Sequence, residues 1–83
     1  MNWRDIYKLV NECEEKLTKR LTHEDVKSYI DVLEKIAEHD DEEAHRLEKA
    51  LWKAVLSQLA SDGNALSRVA LRTEDVRFSR WFA

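Results

Sequence analysis

EEAHRLEKALWKAVLSQLA, residues 42–60, is the stretch that decides the fold. Ala44, Leu47, Leu51, Ala54, Val55 and Leu59 recur at intervals of three and four, which places them on one face of a helix. Trp52 and Leu56 widen that face beyond a single stripe of about 100°. A helix that is apolar over half its circumference touches more than one neighbour. This one is therefore expected at the centre of the molecule, with the other segments around it.

The signals on either side bound it. SDGN closes it, with Gly63 as a left-handed cap and Asn64 placed to cap the next helix. At its start, Asp40 or Asp41 supplies an N-cap, and acidic residues fill the first turn. Upstream, Thr22 with Asp25 three residues on is a capping-box signature, followed by Val26, Tyr29, Ile30, Leu33, Ile36 and Ala37 at helical spacing. Asn2 caps a first helix whose stripe is Trp3, Ile6, Tyr7, Val10, Cys13, Leu17 and Leu21. Glu14 falls inside this stripe, in register with Tyr7, Val10 and Leu17, and is a candidate buried polar residue. Two settings suit it: an exposed part of the seam, or a pairing with a cation from the basic half of the chain.

After Gly63, ALSRVALR is long enough for two turns. Leu66, Val69 and Ala70 point one way, and Arg68 and Arg72 another. Thr73, Glu74 and Asp75 then read as one more helix start, after which Phe78, Trp81 and Phe82 share a helical face. The expected fold is thus all-α: a single domain over 1–83, built as a three-helix antiparallel bundle with one or two short C-terminal helices. The helices are expected at 3–20, 23–38, 41–61, 65–72 and 74–82. One glycine and no proline agree with long helices and short links.

Composition narrows the function classes. A chain of 83 residues buries a modest core, which a partner would help. A single cysteine, Cys13, excludes a disulfide within the chain and reads as a buried thiol in a reducing cytoplasm. The opening MNWRDIYKLVNECEE is charged throughout and predicts no signal peptide, and no run of about 18 apolar residues predicts a membrane span. The net charge of −3 is unevenly divided. Residues 1–43 hold thirteen Asp/Glu against seven Lys/Arg, and residues 44–83 hold four against seven.

Chemistry-bearing motifs are scarce. EHDDEEAH, residues 38–45, contains one Glu-x-x-His pair, Glu42 and His45, where a di-metal carboxylate bundle needs two pairs and further glutamates. It reads as a solvated, capped helix junction. Phosphate-binding glycine loops, Gly-x-Ser-x-Gly and His-Glu-x-x-His are missing from the sequence. No cofactor, no metal and no catalytic residue is expected, and the chain reads as a non-enzyme. The residues expected to meet a partner are Arg68, Arg72, Arg77, Phe78, Arg80, Trp81 and Phe82, because arginine and aromatic side chains dominate interface hot spots. A protein partner or self-association ranks first. Nucleic-acid association through the same arginines and aromatics ranks second, since helices two and three open with acidic runs that repel phosphates. For the aromatics there is also a plainer reading, in which they fold back on the third helix and complete the core.

The ending ALRTEDVRFSRWFA, residues 70–83, resembles tails of small uncharacterised helical proteins of actinobacteria and their phages, in which an aspartate and an aromatic precede Arg-Trp. The resemblance spans fourteen residues and carries no assigned chemistry, so it transfers no functional residue. It implies an accessory protein, such as a phage-encoded modulator of a host protein, that works by binding.

Overall fold

The computed structural model describes residues 2–76. They form four α-helices and a terminal 3-10 turn: α1 Trp3–Lys16, α2 His23–Ala37, α3 Asp41–Ser61, α4 Ala65–Ala70, then Leu71–Asp75. The fold is all-α. Helices α1, α2 and α3 pack consecutively, and α3 touches every other element. Asp40 and Glu43 at the start of α3 lie beside the first turns of α1, and Asp62 beyond its end meets Arg20 beyond the end of α1. So α1 and α3 run in the same sense, with α2 antiparallel between them.

Each helix starts where a side chain satisfies otherwise orphaned backbone N–H groups. Asn2 Oδ1 accepts from the backbone N–H of Arg4 and Asp5 at 2.9 and 3.1 Å. Thr22 and Asp25 complete a reciprocal capping box. Asp40 Oδ1 accepts from Glu43 N at 3.1 Å and Asn64 Oδ1 from Ser67 N at 2.9 Å. The acidic cluster at 38–43 is thus a capped junction, and α2 and α3 are separate helices. At the other end of α3, Gly63 takes φ of +97°, while Asn64 N donates to Leu59 O and Gly63 N to Ala60 O, a Schellman closure.

The core is Val10, Cys13, Leu21, Tyr29, Val32, Ile36, Ala44, Leu47 and Leu51, with Ile6, Leu9, Leu17, Val26, Leu33, Ala54 and Val55 packed around it. Tyr29 is wholly buried, and its hydroxyl donates to the Leu47 carbonyl at 2.5 Å, so the ring fills the core without leaving a polar orphan.

Four expectations need correction. First, α1 stops at Lys16 rather than near residue 20. Residues 17–22 are held instead by tertiary contacts to α3 and by the Thr22 cap, which outweigh helix propensity. Second, the buried stripe of α1 is rotated from the expected one. Leu9 joins it, while Trp3 and Tyr7 leave it and stand 71% and 60% exposed. Third, α4 ends at Ala70. Thr73 and Glu74 lie inside the 3-10 turn rather than opening a helix, and Val76 is extended at ψ 128°. The remainder of the expected 74–82 helix lies outside the described residues. Fourth, Glu14 is not buried, and the two settings expected for it, exposure and a cation from the basic half, are both met. It sits on the flank of α1 beside Trp3 and Tyr7, about half exposed, and pairs with Arg46.

Candidate functional site

Two surfaces stand out, one built on α4 and one between α1 and α3. The first is built on α4. Gly63 and the Asn64 cap reverse the chain, so α4 runs back along α3. Arg68 Nη2 reaches the Ala60 carbonyl at 3.4 Å, Ala70 and Leu71 lie beside Trp52 and Leu56, and Glu74 pairs with Lys53 at 2.6 Å. The residue that α4 buries is Ser67, not its apolar set. Leu66 and Val69 face outward at 82% and 59% exposure, and Trp52 on the adjoining part of α3 is 57% exposed. Arg68 and Arg72 are both exposed.

The second surface is a groove between α1 and the first turns of α3, lined by Trp3, Ile6, Tyr7, Glu14, Glu43 and Arg46. Arg46 is the one cation among its described lining residues. Its Nη2 donates to Glu14 Oε1 at 2.8 Å and also to Glu43, while Nε donates to Glu43 at 2.8 Å. These two carboxylates raise the guanidinium pKa further above its ordinary value, so Arg46 stays charged.

The sequence-based site residues are divided by the structure. Arg68 lies on α4 and Arg72 in the 3-10 turn after it, close in the chain and both at the surface. Arg68 is partly engaged in capping α3. Arg77, Phe78, Arg80, Trp81 and Phe82 lie outside the described residues. Glu14 joins a site that helical spacing alone does not assemble. Sequence reasoning also misses two further groups. Gln58 clamps the α1–α2 link, its Oε1 accepting from Leu21 N at 2.6 Å and its Nε2 donating to Leu21 O at 2.9 Å. Beside it Arg20 grips Asp62 with two parallel hydrogen bonds of 2.9 and 2.6 Å. That contact lowers the Asp62 pKa and raises that of Arg20. Only the amide and charge identities of these residues hint at such pairings, since the partners are 37 and 42 positions apart.

Cys13 is completely buried, and desolvation pushes its thiol up to about 11, so it is protonated and unreactive at neutral pH. Among the described residues no three His, Cys, Asp or Glu side chains converge as a metal site, and no helix is long and apolar enough to cross a membrane. Comparison with known proteins finds no matching family model, no matching curated protein and no matching solved structure.

Proposed function

We propose that the chain is a small non-enzymatic protein-interaction module that pairs with a second copy of itself through the outward face of α4. The observation that carries this reading is the orientation of that helix. A six-residue helix has little propensity to form alone, and here it buries a serine while presenting Leu66 and Val69 to water. Exposed apolar residues grouped in this way mark association surfaces. A small domain with a thin body, 15 Å along its shortest axis, gains most from such burial. Identical faces meeting across a two-fold axis need no second gene product. The likeness of the chain's ending to small proteins of actinobacteria and their phages accords with an accessory, binding role.

The test is a paired measurement on the full chain and on a Leu66→Glu, Val69→Glu variant. Both positions are exposed, so helix content should be unchanged by circular dichroism. Light scattering should give a dimer for the parent and a monomer for the variant. Equal masses for the two would refute the reading. Salt-sensitive binding of a labelled oligonucleotide, lost in an Arg68→Ala, Arg72→Ala variant, would replace it with a nucleic-acid role.

A further inference from the structure

The rings of Trp3 and Tyr7 stand 71% and 60% exposed, one helical turn apart on α1, and both line the groove between α1 and the start of α3. Ile6 and Val10 add apolar surface to the same groove, and Glu14, Asp40 and Glu43 add three carboxylates. Tryptophan, tyrosine and arginine are the residue types that carry most interface binding energy, and Trp3, Tyr7 and Arg46 meet here.

The charge of the groove says what suits it. Arg46 is the one cation of its described lining, set against three carboxylates, so the groove is negative on balance. That guanidinium is already engaged, with Nη2 on Glu14 at 2.8 Å and Nε on Glu43 at 2.8 Å. Asp40 shares its charge with the Glu43 N–H that it caps at 3.1 Å. The side chains of Glu14 and Glu43 nevertheless stay 49% and 28% exposed, within reach of a second cation. The chain around the groove has the same sign, since residues 1–43 hold thirteen Asp/Glu against seven Lys/Arg. Such a field draws positive groups towards this half of the molecule.

Shape narrows the occupant further. The groove holds about 400 Å³, and its two rings are more than half exposed, so it is an open trough. A small organic cation is held by a pocket that encloses most of it. An open trough suits a length of polypeptide instead. Among cationic side chains, arginine both stacks on aromatic faces and pairs with carboxylates through its planar fork of donors. We infer that the α1–α3 groove docks an arginine-bearing segment of a partner protein, its guanidinium groups lying over Trp3 and Tyr7 and facing Glu14, Asp40 and Glu43. This goes beyond the dimer reading, which concerns the outward face of α4.

The test titrates the isotope-labelled full chain with a short peptide of alternating arginine and alanine, followed by NMR. At about 0.1 M salt, charges more than about 10 Å apart are largely screened, so long-range attraction alone gives little signal. The peptide should shift signals of Trp3, Tyr7, Glu14 and Arg46 saturably, and its glutamate-for-arginine counterpart should shift none. A Trp3→Ala, Tyr7→Ala variant alters exposed positions, so it should keep its helix content and bind the peptide about tenfold more weakly or worse. An Asp31→Asn, Glu34→Gln variant removes two exposed carboxylates of α2 outside the groove and should bind as the parent does. Lack of saturable shifts at the groove would overturn the inference. Equal weakening in both variants would also overturn it, by reducing the binding to general acidity. So would a lower mass in solution for the Trp3→Ala, Tyr7→Ala chain than for the parent, which would assign the groove to a second copy. None of these outcomes depends on whether Leu66 and Val69 drive dimerisation.

Discussion

At the scale of single residues, the molecule relies on a few polar groups placed where the apolar pattern does not announce them. Gln58 satisfies both the N–H and the carbonyl of Leu21, whose own side chain is in the core. Gln58→Ala strands both groups at a partly buried site, so it should cost about 2 kcal/mol and lower Tm by about 10 °C in thermal unfolding. The two buried acids of the core set the alkaline limit. Burial raises the pKa values of the Cys13 thiol and the Tyr29 hydroxyl, Cys13 from 9.0 to about 11. The folded state therefore holds these protons more tightly than the unfolded one. Their contribution is complete below the unfolded values and is lost as pH rises towards the folded ones. Unfolding free energy from urea titrations should fall between about pH 9 and about 11, and Cys13→Val should flatten part of that fall. The native thiol should also react with a disulfide reagent only on the timescale of opening.

The acid side has the opposite sign. Thr22 lowers the Asp25 pKa through backbone and side-chain hydrogen bonds, and Arg20 lowers that of Asp62. Their contributions are present above the ordinary carboxylate value of 3.8 and are lost as pH falls through the depressed folded values. Stability should decline below about pH 4. Asp62→Asn should decline less steeply, even though it starts lower.

At the scale of elements, caps fix where helices begin and end, and this part of the fold is legible in the sequence. Asn2, Thr22 with Asp25, Asp40 and Asn64 all cap where their side-chain chemistry places them. Gly63 closes α3 in the left-handed region. A Cβ there would meet nothing within 4 Å, so Gly63→Ala tests the backbone alone and should cost about 1 kcal/mol by chemical denaturation. Helical spacing does not convey how helices rotate once packed. It puts Trp3 and Tyr7 in the stripe of α1, yet the seam turns towards Leu9 and leaves them on the groove. It also groups Leu66 and Val69 correctly. Only the reversal at Gly63 decides that this face looks outward. The end of α1 departs from expectation for a related reason. Leu17 to Leu21 favour helix locally, but Gln58 and Asp62 capture that stretch from a distance.

At the scale of the whole molecule, the described residues form a bundle only partly closed. α3 has α1 and α2 on one side and α4 with its 3-10 turn on another, and exposed aromatic or apolar groups remain along both flanks. The candidate surfaces follow that division. The outward face of α4 is apolar, and the α1–α3 groove is aromatic and acidic. The ion pairs contribute less to the fold than their number suggests. Arg46 with Glu14 and Glu43, Lys19 with Asp25, and Lys53 with Glu74 all lie at least partly in solvent. Water and salt screen such pairs, and holding two long side chains together costs entropy. They orient surfaces more than they hold the core. Added salt should accordingly leave Tm nearly unchanged in differential scanning calorimetry.

The central claim is that the outward face of α4 joins two copies of this chain. Sedimentation equilibrium of the full chain, from dilute to concentrated solution, tests it most directly. The account predicts a mass that rises from 9.8 kDa towards twice that value as concentration increases. A mass that stays at the monomer value at every concentration would contradict it.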